Sequence, residues 1–159
     1  EDEVVILGDL SLGKAEETKE LLNRLHGQLY LIIGNHDRFH WNTAYATDRY
    51  VWMKHYAELE DNHRRVVLSH YPMMCYHGQY YRNEKGEANT YMLYGHVHDT
   101  MDQRLIEQFQ DITRHTVRID QNGCEVPVPC QMINCFCMYS DYEPLTLDEW
   151  IACEQRRGR

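Results

Sequence analysis

The stretch LYLIIGNHD, residues 29–37, decides the fold. Five apolar residues, two of them β-branched, form a run too short for a helix and stopped by a glycine, which reads as a buried strand. Asn, His and Asp follow at once, so the strand ends in side chains that carry chemistry. Upstream, VVILGD (4–9) repeats the pattern, and between the two runs Ala15, Leu21, Leu22 and Leu25 recur at helical spacing before Gly27. Downstream, residues 38–62 read as mostly helical or irregular. A third run, VVL (66–68), ends at SHYP (69–72), where Pro72 forbids continuation of a central strand. Residues 73–90, rich in Tyr, His, Gly and Asn, form a long loop, and YMLY (91–94) is a fourth run ending at GHVH (95–98). The spacing predicts a helix over 101–113, short strands at 117–119 and 131–138, and a last helix from about residue 146. The class is α/β, or α+β with layers.

At 159 residues with 43% hydrophobic content, the chain can bury a substantial core as one domain. Its apolar runs are far shorter than the roughly 20 residues that cross a bilayer, and the acidic Glu1-Asp2-Glu3 is unlike a secretory leader. No membrane association and a cytoplasmic location are expected. Sixteen basic against 25 acidic residues give a formal charge of -9, which repels a phosphate backbone and argues against generic nucleic-acid binding. A phosphorylated small molecule is still compatible, because bound divalent cations invert the local potential. Six cysteines contain no CxxC pair. Cys124, Cys130, Cys135 and Cys137 admit a zinc-site reading, but the alternation of Cys135-Phe136-Cys137 points both thiols to one side of a strand and favours burial.

The four runs end, in order, at Asp9, at Asn35 and His36, at His70, and at His96 and His98, each after a small residue. Any one of these is ordinary: Gly-Asp is a common turn, and a lone histidine is more often hydrogen-bonded than coordinating. Four in succession, drawn from His, Asn and Asp, suit a borderline-to-hard divalent metal at the C-terminal edge of a sheet.

GD (8–9), GNHD (34–37), SHYP (69–72) and GHVH (95–98) resemble successive signature blocks of the calcineurin-like metallophosphoesterases. NCFCMYSDYEPLTLDEW (134–150) is similar to the closing segment of small bacterial and phage members. The resemblance implies a four-layer α/β/β/α sandwich with mixed sheets. It also implies hydrolysis of phosphomonoesters or phosphodiesters by a metal-bridging hydroxide, with two divalent ions (Mn, Fe, Ni or Zn). On this pattern Asp9 bridges the ions. Asn35, His70 and His96 complete the first ligand set, His98 serves the second ion, and His36 assists the leaving group. Asp37 either orients His36 or is a turn residue; Arg38 either contacts phosphate or makes a surface ion pair. His77, Tyr80, Tyr81 and Arg82 of the long loop either line the cleft or are simply solvated, so no substrate-binding residue is assigned.

The family pattern opens with a strand ending in Asp-x-His and a helix before the GD block, whereas this sequence begins beside the second strand. The expectation is an N-terminally incomplete domain over residues 1–159 that keeps one well-formed metal site. The rival is a truncated, inactive homologue that binds a single metal, and a zinc-cysteine protein is a weaker third reading.

Overall fold

The computed structural model describes residues 2–37 and 47–158. Strand β1 (Glu3–Ile6), helix α1 (Ala15–Arg24) and strand β2 (Gln28–Ile32) form a crossover unit with parallel strands, and β3 (Tyr50–Lys54) adds in parallel on the far side of β2. A hairpin of β4 (Tyr56–Asp61) and β5 (Arg64–Ser69) opens a second sheet, to which β6 (Thr90–Tyr94) adds parallel to β5. After β6 the chain passes through helix α2 (Met101–Arg114) and a small antiparallel pair, β7 (Val117–Ile119) and β8 (Glu125–Pro127). Strand β9 (Met132–Asn134) then returns beside β6, giving the order β4-β5-β6-β9, and helix α3 (Leu147–Arg156) follows.

The period of two along each strand divides the core into three layers. Val5, Ile32, Val66, Leu68, Leu93 and Ile133 face one another between the sheets, together with Leu147 and Trp150 of α3. Val67, Met92, Tyr94 and Met132 turn the other way, against Ile106 and Phe109 of α2. Val4, Ile6, Leu29 and Leu31 do the same against Leu22 of α1. The product is helix, sheet, sheet, helix, the layered α/β sandwich expected from the sequence.

Two expectations need correction. Residues 50–61 are strands rather than helical or irregular chain. β4 reads YAELED because only Ala57 of it is buried, and Asn62 and His63 make its turn at φ values of 47° and 63°, the left-handed geometry of a two-residue hairpin. The strand expected over 131–138 stops at Asn134, and Cys137–Ser140 is a 3-10 turn, so Cys135 and Cys137 do not share a strand face. Cys124 and Cys137 are exposed, Cys130 is buried and Cys135 half-buried, and among the described residues the group that could hold a metal contains no cysteine.

Leu31 is fully buried between β1, β3 and α1. Leu31→Ala is expected to lower unfolding free energy by about 2–5 kcal/mol in urea titration; a loss under about 1 kcal/mol would mean that this layer is not close-packed.

Candidate metal centre

Within each sheet the strands that matter run parallel, and the two sheets face each other, so the C-terminal ends of β1, β2, β5 and β6 open on one edge. Asp9, Asn35, His70 and His96 follow those ends. The His70 imidazole, 2% exposed, ties the sheets together: its Nδ1 lies 2.7 Å from the Leu7 carbonyl oxygen. A carbonyl only accepts, so Nδ1 carries a proton, and in the neutral imidazole Nε2 presents a lone pair. That lone pair meets further acceptors, Asn35 Oδ1 at 3.0 Å and Asp9 Oδ2 at 3.3 Å. One donor atom each from Asp9, His70 and His96 lie within 4.8 Å of one another. The His70 and His96 rings stand 5.0 Å apart. Burial, then the neighbouring His70, pushes the His96 pKa below its ordinary value, with Asp9 opposing in part, so His96 favours the neutral form that binds metal. Nitrogen and oxygen lone pairs converging on one point fit a divalent cation.

The backbone here is held in costly conformations. Asp9, His96 and His98 have φ of 55°, 64° and 48°, a left-handed region that costs a non-glycine residue about 1–3 kcal/mol. Each has its own restraint. The Asp37 carboxylate, 1% exposed, accepts from the backbone N–H of Asp9 at 2.7 Å, Gly34 at 2.8 Å and Leu10 at 3.1 Å. The Val97 N–H donates to Gly95 O at 2.8 Å, closing a three-residue turn centred on His96. The Asn134 amide donates to the His98 carbonyl at 2.8 Å. Two glycines are dictated by close approach. A Cβ at Gly34 would stand 2.3 Å from Asp9 Oδ1, and one at Gly8 2.3 Å from His70 Nδ1.

His36 is exposed and joined to the cluster through its backbone N–H, which donates to Asp9 Oδ1 at 2.8 Å. His98 lies outside the three-residue group, its exposed ring stacked on Phe136 at 4.6 Å and 13°. Its three backbone hydrogen bonds make Asp37 a clamp between the β1 and β2 loops, a role that sequence reasoning missed. Arg38 falls outside the described residues. The long loop turns away from the cluster: His77 sits 2.7 Å from Arg65 and 2.9 Å from Glu58. Arg65 is five residues, about 16 Å, before His70 on the same strand line. Tyr81 lies over Arg65, Tyr80 beside Arg118, and Arg82 bridges to Ala88, so none of the four lines the cluster. Tyr71, which sequence reasoning passed over, does: it is 48% exposed, with its ring 4.5 Å from His96 and 5.1 Å from His70. Its place beside His70 in SHYP was the available signal.

Asp37→Asn puts an amide N–H against backbone donors. It is expected to cost about 1–3 kcal/mol of stability and to weaken Mn²⁺ binding in calorimetric titration, while the surface change Asp48→Asn does neither. Unchanged metal affinity in Asp37→Asn would show that the clamp does not set the geometry of Asp9.

Comparison with known proteins agrees with this geometry. The model of the calcineurin-like phosphoesterase superfamily domain matches residues 1–115. The fold is similar to the crystal structure of AQ665, a protein of unknown function from Aquifex aeolicus, with a TM-score of 0.59 at 20% identity over 93% of this chain and 74% of that one. No curated protein matches. The matched span contains all four loops that meet at the cluster, and the chain belongs to the calcineurin-like phosphoesterase superfamily.

Proposed function

We propose that the protein hydrolyses phosphoester bonds in a small phosphorylated substrate, using divalent cations held at this edge. The observation that carries the proposal is the convergence of lone pairs around His70 Nε2, with Asn35 Oδ1 at 3.0 Å and Asp9 Oδ2 at 3.3 Å, on loops whose strain is otherwise unrewarded. Asp9, Asn35, His70 and His96 would hold one ion, and Asp9 would be shared with a second that His98 serves. When bound, such cations offset the charge of the phosphoryl oxygens and make water a competent nucleophile at neutral pH.

The chain's own groups do the rest. Asp37 fixes the Asp9 carboxylate through the backbone, and the Leu7 carbonyl fixes the His70 tautomer. His36, anchored to Asp9 but exposed, is suited to pass a ring-nitrogen proton to the departing oxygen without binding metal itself. Tyr71 forms an open wall beside the histidines. A cytoplasmic setting is part of the proposal; among the described residues no helix is long and apolar enough to cross a membrane.

One observation favours a second reading. His98 stands outside the Asp9–His70–His96 group, which suits a module that binds one ion without turnover.

His70→Ala is expected to lose bound Mn²⁺ and phosphoesterase activity together, whereas His36→Ala keeps the metal and loses about 10²- to 10⁴-fold in kcat. Equilibrium dialysis and a generic phosphodiester assay check both. Metal binding with no hydrolysis of any ester by the unsubstituted protein would support the binding module instead.

A further inference from the structure

Beneath His98 lies a polar network that the family signature blocks do not explain. Asn134, the last residue of β9, is 0% exposed and uses its whole amide. Its Nδ2 donates to the His98 carbonyl at 2.8 Å and to Gln103 Oε1 at 2.8 Å, and its Oδ1 accepts from the Phe136 N–H at 3.1 Å. Gln103, 1% exposed on α2, also accepts from the Tyr94 hydroxyl at 2.9 Å and donates to Glu107 at 3.1 Å. One buried amide thus ties β9, β6 and α2 to the carbonyl of a residue held at φ 48°. By bonding the Phe136 N–H, the same amide turns the chain out of β9, and the Phe136 ring then lies parallel to His98, with Tyr139 edge-on behind it at 5.4 Å.

An exposed histidine normally samples several rotamers. Here backbone and ring are restrained by two neighbouring residues of one segment, and neither restraint occupies a surface that His98 needs for a ligand. Satisfying three hydrogen bonds on a buried Asn is a demanding requirement for mere strand termination, where a turn in solvent would do.

We propose that Asn134 and Phe136 are positioning residues that hold the His98 imidazole in one orientation for the metal-dependent reaction. Asn134 fixes the left-handed backbone of His98, and Phe136 fixes the plane of its ring. The inference rests on the reading of His98 as a cation ligand, so the test separates the two.

The intact chain is made with Phe136→Leu, Phe136→Trp and Asn134→Asp, each alone and combined with His98→Ala, and the affinities of the first and the second bound Zn²⁺ are resolved by competition with a chelating dye. Phe136→Leu and Asn134→Asp are expected to weaken binding of the second zinc about 10- to 100-fold, Phe136→Trp to preserve it, and neither to weaken it further once His98 is alanine. In the metal-free protein, the His98 Cε1–H proton resonance, assigned by its loss in His98→Ala, should lie upfield from the Phe136 ring and relax towards an unstructured histidine position in Phe136→Leu. Phe136 is half-buried, so this variant keeps the test available if Asn134→Asp does not fold. Unchanged affinity for the second zinc in Phe136→Leu, or equal weakening with and without His98, overturns the positioning role. If His98→Ala itself leaves binding of the second zinc intact, the reading of His98 as a ligand fails. The resonance then decides alone: movement in Phe136→Leu supports the holding of His98, and no movement overturns it.

Discussion

A single buried carboxylate organises the centre. Asp37 takes three backbone N–H groups, two from the loop after β1 and one from the loop after β2. Charge-assisted bonds of this kind are about twice as strong as neutral ones, and here they act where the backbone is unfavourable. They hold Asp9 in the left-handed region and press its loop so closely on Gly34 that no side chain fits between. The second link, His70 to the Leu7 carbonyl, joins the two sheets at the same edge and aims the free nitrogen of His70 at Asp9 and Asn35.

Strain at three residues of one small region is a costly arrangement unless something is gained from it. Each strained residue is over-determined by neighbours that do not themselves face the cluster: Asp37 for Asp9, the Gly95–Val97 turn for His96, Asn134 for His98. Preorganisation of this type lets ligands meet a metal without reorganising when it binds. It also resolves the mismatch between a protein of charge -9 and an anionic substrate, since cations at the cluster would dominate the field that a phosphate meets.

Much of this was legible in the sequence, for definite reasons. β2, β5 and β6 carry buried residues on both faces and β1 is half-buried beside β2, so all four appear as plain apolar runs, and each ends in a glycine or serine beside a coordinating side chain. β4 was not legible because, at the edge of its sheet, it buries only Ala57 and otherwise carries residues that suit a helix as well. The loop containing His77, Tyr80 and Tyr81 has a composition suited to a cleft, yet the parallel return from β5 to β6 carries it to the opposite end of the sheet. Asp37 was noticed as part of GNHD, but backbone N–H groups leave no mark on a sequence. Asn134 and Phe136 were hidden for the same reason: their partners, the His98 carbonyl and ring, lie 36 residues away for the Asn134 bond and are brought near only by the β6–β9 pairing.

Asp9, Asn35, His70 and His96 should surround one cation, which anomalous diffraction at the zinc edge from crystals grown with Zn²⁺ would reveal. A strong anomalous peak is expected about 2.0–2.2 Å from one donor atom of each of these four residues, with Nδ1 of His70 still bonded to Leu7. A peak lodged instead among the cysteines, or no peak at this edge in crystals where zinc is bound elsewhere, would contradict it.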